Sequence, residues 1–443
     1  MTDSDVLGPR MPYMPPFDPH PGHAAERAEQ IDAQFKGFAP STFGSSLEEL
    51  AGRRPSLFGG AFVPPIMVLR QGALLHNVET MARYARDAGV ELAPHGKTSL
   101  APRLFDLQVE AGAWGMSVGT ISQVVLCRAF GIRRVFLANE LVDEAGIAWL
   151  RNELAADPGF EFLCYVDSLV GVGLLAELAP PAPGLGILVE MGPVGGRTGC
   201  RTIDQAVAVA RAAAEAGLPI VGVAGYEGGL GHEIEPAVLE RVRGFLGLMR
   251  AAADALLAAG LVRDPRRPIL TAGGSVFFDE VVAAFRAPLA NGTTPRTIIR
   301  PGAYVSHDAG HYQHLSPFTR RGADADCTLE PALEAWGQVI STPEPGLAIS
   351  NVGRRDVSFD LGWPVPLRLR RPSTGVVVDA AAIEVFNLND QHAFLRVPPG
   401  VAVQVGDWIA FGISHPCTAF DKWHLLPVVD REDRVADLVR TYF

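Results

Sequence analysis

The sequence lacks the features that mark membrane, secreted and nucleic-acid-binding proteins. No apolar stretch reaches the roughly 18 uncharged residues of a membrane span, and residues 1–21 are acidic and then proline-rich, without the apolar core of a signal peptide. No basic block stands out against the net charge of −11, which argues against nucleic acid or an anionic membrane as a partner. The five cysteines are odd in number and widely spaced, which argues against a disulfide scaffold. We therefore expect a cytoplasmic protein.

The sequence does contain a regular alternation of apolar runs typical of buried strands with amphipathic helical stretches, up to about residue 300. Ile203, Val207, Ala210 and Ala214, for example, place one apolar face on a helix. Eight strands are predicted: Leu92–His95, Gly115–Val118, Arg134–Ala138, Phe160–Asp167, Leu185–Met191, Ile220–Tyr226, Pro268–Ala272 and Thr297–Arg300. This pattern predicts an α/β fold, the (β/α)8 TIM barrel.

The chain beyond about residue 310 has a different texture. Short runs rich in β-branched residues, such as Val357–Leu361 and Val401–Ile413, are separated by glycine, proline and aspartate. They predict a second, smaller antiparallel β domain, to which residues 64–69 are a candidate additional strand. We divide the chain into an N-terminal arm (1–58), the barrel (59–308) and the C-terminal β domain (309–443).

Lys97 follows the first predicted strand, within the segment Ala93–Thr98. The carboxyl ends of barrel strands form the face that carries active sites. A lysine held there can condense with a carbonyl group if burial or cationic neighbours lower its pKa. The alternative, a solvated loop lysine, stays open from the residue alone. His95 precedes Lys97 at the same face.

A glycine-serine turn, Gly273, Gly274 and Ser275, follows the seventh predicted strand and leads into a helical stretch. Glycines let the backbone approach an anion closely, and a serine at a helix start can bind its oxygens. Many barrels bind phosphate after their last strands, so this turn is a candidate phosphate cradle rather than only a turn. Tyr304, just after the eighth strand, is expected beside it.

Three further polar residues follow other strand ends. Arg197 lies in a glycine-dense loop, and its planar guanidinium suits a phenolate or carboxylate oxygen. Tyr226 follows the sixth predicted strand, where it can stack on an aromatic ring or plug the barrel mouth. Asn139 follows the third predicted strand. All three are expected on one rim of the barrel.

A His-x-Cys pair, His415 and Cys417, closes the β domain. In extended backbone, residues two apart point to the same side, so both side chains can reach one ion. Imidazole and thiolate together favour zinc. Two ligands would leave coordination positions open to water or substrate. Most isolated His-x-Cys motifs, however, are not metal sites.

Four motifs give the chain a family resemblance. They are Ala93-Pro94-His95-Gly96-Lys97-Thr98, Gly112-Ala113-Trp114-Gly115, Leu137-Ala138-Asn139-Glu140 and Ser414-His415-Pro416-Cys417-Thr418. From about residue 60 to 425 the chain resembles the D-serine dehydratase and D-threonine aldolase family. These are pyridoxal-phosphate enzymes of fold type III with an alanine racemase-like N-terminal barrel.

The resemblance implies a role for each candidate. Lys97 would join the cofactor covalently and remove the α-proton, with His95 and Asn139 as further cofactor contacts. Arg197 would lie near the phenolic oxygen and Tyr226 near the ring. Gly273, Gly274, Ser275 and Tyr304 would hold the phosphate. His415 and Cys417 would bind Zn²⁺ or another divalent metal for the substrate hydroxyl.

The function that the resemblance implies is dehydration of a D-3-hydroxyamino acid, such as D-serine or D-threonine, to a 2-oxo acid and ammonia. In the aldolase branch an aspartate replaces Cys417, so the cysteine favours dehydration over cleavage to glycine and an aldehyde. A non-catalytic pyridoxal-phosphate protein also stays open, but those generally have one domain. A racemase would be expected to use a tyrosine of the β domain.

The family also implies a homodimer in which one subunit's β domain closes the other's barrel mouth. Many members continue Lys-Thr-His-Lys, whereas Lys97 is followed by Thr98, Ser99 and Leu100. In this the chain resembles a bacterial amino-acid deaminase subgroup, and the exact amino-acid substrate stays open.

Overall fold

The computed structural model describes residues 20–178, 180–231, 233–320 and 327–443. Its helices are α1 (Pro21–Ala28), α2 (Leu47–Arg53), α3 (Gln71–Ala88), α4 (Pro102–Glu110), α5 (Ile121–Ala129), α6 (Glu144–Ala156), α7 (Leu169–Leu175), α8 (Ile203–Glu215), α9 (Pro236–Ala258), α10 (Phe278–Phe285), α11 (His311–Leu315), α12 (Pro317–Arg320) and α13 (Cys417–Phe420). None of these described helices is long and apolar enough to cross a membrane.

The strands fall into two sheets. They are β1 (Ile66–Arg70), β2 (Glu91–Leu92), β3 (Met116–Val118), β4 (Arg134–Glu140), β5 (Glu161–Val166), β6 (Leu185–Met191), β7 (Ile220–Gly225), β8 (Ile269–Ala272), β9 (Arg296–Ile299), β10 (Leu333–Glu344), β11 (Leu347–Ser350), β12 (Val365–Arg370), β13 (Val377–Asp379), β14 (Glu384–Leu388), β15 (Ala393–Arg396), β16 (Trp408–Gly412), β17 (Leu425–Val429) and β18 (Val435–Arg440).

The first sheet is the predicted barrel. Its eight strands run in the order β2-β9-β8-β7-β6-β5-β4-β3, and every neighbouring pair is parallel. A parallel bridge between His95 and Ser117 joins the two ends of the sheet. The Trp114 amide also donates to the Leu92 carbonyl at 2.7 Å across this seam. The barrel that the alternation predicted is thus confirmed.

Alternation along the strands decides which side chains enter the barrel. A separate apolar cluster fills the interior, and it includes Ala93, Phe136, Leu163, Tyr165, Leu188, Ala224, Ile269 and Ile298, with Ala138 packed against it. Side chains two residues further along a strand point the same way. His95, Glu140, Asp167, Glu190, Tyr226, Thr271 and Arg300 therefore form the next interior layer, at the carboxyl end.

The second sheet is largely antiparallel and forms the β domain. Its main path is β13-β12-β16-β10-β1-β17-β18, with β11, β14 and β15 attached through β10. Strand β1, from the N-terminal part of the chain, pairs antiparallel with β10 and parallel with β17. The early chain therefore contributes a central strand to a domain made mostly of late residues.

The predicted strand Val357–Leu361 is wrong. The Val357 amide donates to the Gly353 carbonyl at 3.2 Å, and Asp356 accepts a hydrogen bond from the Gly353 amide at 3.0 Å. These local bonds curl the chain, so it cannot pair as an extended strand. The segment leads instead to Asp360, which lies beside His415.

The described part of the N-terminal arm packs on its own chain. Ile31, Phe35 and Leu50 are buried in the hydrophobic cluster of the β domain. The ring of His23 in α1 lies 2.9 Å from the carboxylate of Asp106 in α4. Residues 1–19 of the predicted arm lie outside the described residues.

Candidate active site

Lys97 lies in a single 3-10 turn, Gly96–Thr98, which begins four residues after the end of the barrel strand β2. The Thr98 amide donates to the His95 carbonyl at 3.3 Å, which closes the turn. A side chain at Gly96 would come within 2.9 Å of the Phe105 ring, so close packing requires glycine here. The turn leaves Lys97 exposed at the barrel mouth while Gly96 and Thr98 are buried.

The surroundings of Lys97 favour its neutral amine. The protein walls displace water and lower the pKa of Lys97, and the charges of Arg197 and Arg300 act in the same direction. A charge on Cys417 opposes this shift. A neutral amine is the nucleophilic form, so the site suits a lysine that attacks a carbonyl.

His95 is neutral at the same mouth. Burial, followed by the charges of Lys97, Arg300 and Arg197, lowers the pKa of His95 well below its ordinary value. Its Nδ1 atom is buried and has no hydrogen-bond partner in the described part of the chain. An orphaned polar atom at an active-site face is a point where a bound molecule can supply the missing bond.

Arg300 is a fixed cation that the sequence analysis did not single out. It is only 5% exposed, and it donates hydrogen bonds to the Thr271 hydroxyl and, at 2.7 Å, to the Gly225 carbonyl. Its guanidinium carbon lies 5.3 Å from the centre of the Phe136 ring. The signal was its position two residues after Ile298, which makes it an interior residue at a strand end.

Arg197 and Tyr226 meet at the rim, as the sequence predicts for residues following strand ends. The guanidinium carbon of Arg197 lies 4.6 Å from the centre of the Tyr226 ring, a cation–π contact. The loop carrying Arg197 is held from below by Arg201, which donates to the carbonyls of Gly196 at 2.7 Å and Gly199 at 2.8 Å. Arg197 is therefore displayed on a braced loop.

The glycine-serine turn, predicted as a phosphate cradle, does not have its glycine amides free for an anion. The amides of Gly273 and Gly274 donate to the carboxylate of Glu227 at 3.0 and 2.7 Å, and Glu227 is fully buried. Ser275 Oγ instead accepts hydrogen bonds from the amides of Gly302 at 3.3 Å and Ala303 at 3.2 Å. The amides gathered around Ser275 are thus those after β9.

Gly302 has a steric reason to be glycine. A Cβ atom there would lie 2.6 Å from Thr98 Oγ1 and 2.7 Å from the His95 carbonyl. The turn after β9 therefore packs directly on the segment that carries Lys97. The amides of Gly302 and Ala303 lie at the start of the 3-10 turn Ala303–Val305, where backbone amides suit an anion.

Two predicted residues have other partners. Tyr304 is buried, and its hydroxyl hydrogen-bonds Gln108 in α4; burial raises the pKa of Tyr304. Asn139 is exposed, and its amide donates to the Gly119 carbonyl at 3.0 Å. By strand alternation Asn139 faces away from the interior side chain of Glu140.

The His-Pro-Cys segment reaches the lysine turn within one chain. The thiol of Cys417 donates to Thr98 Oγ1 at 3.4 Å. The expected extended backbone is not found, since Pro416 is helical and Cys417 begins α13. The Ala419 and Phe420 amides both donate to the Pro416 carbonyl at 3.0 Å, which winds the segment into a turn.

The two candidate metal ligands contact each other despite this turn, because the Cys417 side chain hydrogen-bonds His415. His415 Nδ1 also lies 2.6 Å from Asp360 Oδ2, and Thr418 donates to Asp360 Oδ1 at 2.7 Å. Burial by itself lowers the pKa of His415, but Cys417 and Asp360 outweigh it and raise the pKa to about 9. Asp360 thus orients the imidazole.

Tyr312 in α11 lies beside His415, and sequence reasoning missed it. Its ring centre lies 6.3 Å from that of His415. Burial raises the pKa of Tyr312, and negative charge on Cys417 and Tyr226 acts in the same direction. Tyr312 therefore packs against the proposed metal ligand His415.

A parallel barrel with a lysine at its mouth, joined to an antiparallel domain that supplies a His-Cys pair, defines an alanine racemase-like two-domain fold. Residues 332–429, within the β domain, match the family model of the putative serine dehydratase domain. No protein of curated function matches the chain. The family resemblance stated from the motifs is confirmed by this match and by the structural neighbours.

Solved structures with this fold cover most of the chain. D-threonine aldolase from Filomicrobium marinum is 24% identical, with a TM-score of 0.71 over 86% of this chain and 95% of its own. D-threo-3-hydroxyaspartate dehydratase from Delftia sp. HT23 is 21% identical, with a TM-score of 0.67 over 88% and 99%. Alanine racemase from Clostridium difficile 630 is 13% identical, with a TM-score of 0.58 over 86% and 99%.

Proposed function

We propose that this protein is a pyridoxal-phosphate-dependent lyase that removes water and then ammonia from a D-3-hydroxyamino acid, with the help of a divalent metal, Zn²⁺ by preference. The observation that carries the proposal is the contact between Cys417 and Thr98, at 3.4 Å. It brings the pair that we propose as metal ligands, His415 and Cys417, next to the turn of Lys97, whose pKa is lowered. A dehydratase needs both groups over one substrate.

The residues present fit the cofactor. Lys97 offers an accessible amine, and Arg197 with Tyr226 borders the barrel mouth beside it. Ser275 Oγ accepts from the amides of Gly302 and Ala303, which leaves its hydroxyl proton to donate to a phosphate oxygen. When bound, pyridoxal phosphate supplies an electron sink for the pair left at the substrate's α-carbon. The amides of Gly273 and Gly274 support the site indirectly, through Glu227.

Lys97 moves the protons in this proposal. Its neutral amine can take the α-proton, because the nearby cations and the displaced water disfavour a charged ammonium group. Neutral His95 adds no charge beside it, and Arg300 keeps a fixed positive charge over the interior. The positive charge that opposes the developing negative charge is therefore that of Arg300 and of Arg197, which we propose near the phenolic oxygen of the cofactor.

His415 and Cys417 fit a zinc ion because they supply one nitrogen and one sulfur donor. A metal ion held there supplies Lewis acidity toward the departing hydroxyl, which is a poor leaving group in neutral water. The Asp360 carboxylate accepts a hydrogen bond from Nδ1–H of His415, which leaves the Nε2 atom of His415 for the metal. Two solved mutants of D-threo-3-hydroxyaspartate dehydratase change a histidine and a cysteine two positions apart, and the cysteine mutant is described as metal-free, which supports this assignment.

Retro-aldol cleavage to glycine and an aldehyde is the second candidate. Its support is the aldolase from Filomicrobium marinum, whose fold matches this chain with a TM-score of 0.71. The same lysine and metal ligands would serve, with the hydroxyl proton removed instead of the α-proton. Cys417, where the aldolase branch is expected to carry aspartate, favours dehydration.

We also propose a homodimer, as the family resemblance implies. Cys417 contacts Thr98, the residue after Lys97, within one chain, so a partner is not required to bring the two segments together. The expected partner contribution is closure of the mouth around the exposed Lys97. The shared site would then be completed at the subunit interface.

The proposal is tested by a product screen. Purified protein loaded with pyridoxal phosphate is incubated with D- and L-3-hydroxyamino acids, with and without Zn²⁺, and 2-oxo acid, ammonia and glycine are quantified. Dehydration predicts equal 2-oxo acid and ammonia from a D-isomer, only with metal, and none with Lys97→Ala. Glycine as the major product would replace dehydration by the aldolase reaction, and no product from any isomer would refute the lyase.

A further inference from the structure

Three carboxylates meet at the barrel mouth on three neighbouring strands. Glu140 ends β4, Asp167 follows β5 directly, and Glu190 is the penultimate residue of β6. One ligand oxygen from each lies within 4.8 Å of the other two. The strand alternation described above places all three on the interior side, so the barrel itself, rather than a flexible loop, holds them together.

Protein groups compensate these carboxylates only in part. Burial, followed by a side-chain hydrogen bond with Glu190 and the charges of Glu190 and Asp167, raises the pKa of Glu140 to about 8. Glu190 is 2% exposed and its Oε2 has no hydrogen-bond partner in the described part of the chain, and the same holds for the buried Oε1 of Glu140. No lysine or arginine among the described residues forms an ion pair with any of the three. Close, unpaired and partly buried negative charges are costly unless a cation or a proton neutralises them.

A neighbouring hydroxyl gives an independent indication of a ligand. Tyr165 is 1% exposed, and its hydroxyl has no hydrogen-bond partner within the described residues. Tyr165 lies opposite Glu140 in the strand register. Burial raises the pKa of Tyr165; the charge of Arg300 opposes this shift, and those of Glu190 and Glu140 add to it. The hydroxyl thus faces the same small space as the carboxylates.

We propose that Glu140, Asp167 and Glu190 bind a divalent cation of the hard, oxygen-seeking class, such as Ca²⁺, Mn²⁺ or Mg²⁺. The donor set is all oxygen, unlike the nitrogen and sulfur of His415 and Cys417, so the two sites select different metals. Ca²⁺ binds oxygen at roughly 2.3–2.6 Å. A single ion at the centre of ligand atoms that lie within 4.8 Å of one another therefore reaches all three with little side-chain movement.

The proposed ion would anchor the loop that carries Arg197. Asp167 Oδ2 already accepts the Gly199 amide at 2.9 Å, and the Glu190 carbonyl accepts the Cys200 amide at 2.7 Å. Both bonds lie at the base of the loop 192–199. A cation between the two carboxylates would fix this base, so the position of Arg197 would depend on the ion.

A pair of metal-binding variants tests the proposal without cofactor or activity. His415→Ala/Cys417→Ala removes the nitrogen-sulfur site, and the metal-free full chain is titrated with Mn²⁺, Ca²⁺ and Mg²⁺ by calorimetry. We expect one saturable site per chain for at least one of the ions. The thermal midpoint should rise with its concentration, because ligand binding stabilises the folded state by mass action.

Glu190→Gln in the same background should weaken the affinity at least tenfold, while it preserves the shape of the side chain. Because it removes a repelling charge, the variant folds, and its melting curve without metal verifies this. Glu215→Gln removes an exposed charge on α8 and should leave affinity unchanged. Absence of saturable binding for all three ions, or equal binding by the Glu190→Gln protein, overturns the site and indicates that the cluster is neutralised by protons.

Discussion

The thiol of Cys417 donates a hydrogen bond to the hydroxyl of Thr98 at 3.4 Å, which joins the last helix of the β domain to the turn that carries Lys97. These residues lie more than 300 positions apart in the sequence. The contact places the proposed metal ligands beside the turn that carries the proposed covalent lysine. Substitution of Lys97 and substitution of Cys417 should therefore have different effects.

Lys97→Ala should abolish the visible absorbance of protein-bound pyridoxal phosphate, because the covalent link needs the amine. The chain has only two other lysines, Lys36 and Lys422, which pair with Asp356 and Asp421. Lys36→Ala is therefore the matched control and should keep the colour. After borohydride reduction, mass spectrometry should find the cofactor on the peptide of Lys97; attachment to another lysine would contradict the assignment.

Cys417→Ala should lose zinc and lyase activity while it keeps bound cofactor, because we propose the thiolate as a metal ligand and not as a cofactor contact. Metal content by atomic emission and absorbance spectra separate the two effects. Cys327→Ala, at another partly buried cysteine, should change neither quantity. If Cys417→Ala retains zinc at the wild-type level, the metal role fails.

Asp360→Asn should weaken zinc binding by roughly 10- to 100-fold, the usual effect of losing a carboxylate that orients a histidine ligand. The physical reason is the 2.6 Å contact between Asp360 Oδ2 and His415 Nδ1, which fixes the imidazole. Competition with a chromophoric chelator measures the affinity directly, and Asp360→Glu should restore part of it. Asp87→Asn, on the exposed end of α3, is the control. An unchanged affinity would show that Asp360 does not support the metal.

Glu26→Gln should stabilise the protein at neutral and alkaline pH. Burial raises the pKa of Glu26 from 4.5 to about 7, against the opposing hydrogen bond that Tyr442 donates at 2.9 Å. The folded state therefore holds this proton where the unfolded chain has released it. The stability contribution is complete below pH 4.5 and falls as the pH rises to about 7, by roughly 1.4 kcal/mol per pH unit.

Denaturant unfolding at several pH values measures this effect. The free energy of unfolding of the wild type should fall by about 3 kcal/mol across that window, and that of Glu26→Gln should be flatter. Glu432→Gln, at an exposed site, should follow the wild type. Parallel pH curves for wild type and Glu26→Gln would show that the buried carboxyl does not control stability.

Local patterns were enough to predict the barrel, because the apolar periodicity of each strand and helix can be recognised within a window of about ten residues. Alternation also predicted where Lys97, Arg197 and Tyr226 would lie, since residues at the carboxyl ends of parallel strands must share one rim. The strand predicted for Val357–Leu361 is wrong. The composition of the segment favours a strand, but hydrogen bonds to Gly353 curl the backbone at its start.

The partners of polar groups could not be predicted from spacing. The sequence predicts that Gly273 and Gly274 form a phosphate cradle. In the structure their amides instead donate hydrogen bonds to Glu227, which lies 46 positions before Gly273. Arg300 and Asp360 have no distinctive local motif. Their importance comes from the side chains that the fold brings around them, which no short window of sequence contains.

By itself the sequence determined the order of strands and helices, the eight-stranded barrel and the chemistry available at each strand end, because backbone preference and apolar periodicity are local properties. Only the tertiary structure decided that Cys417 meets Thr98, that Glu227 occupies two glycine amides and that three carboxylates converge. Such contacts depend on how distant segments pack, and packing is fixed by the whole core rather than by any one motif.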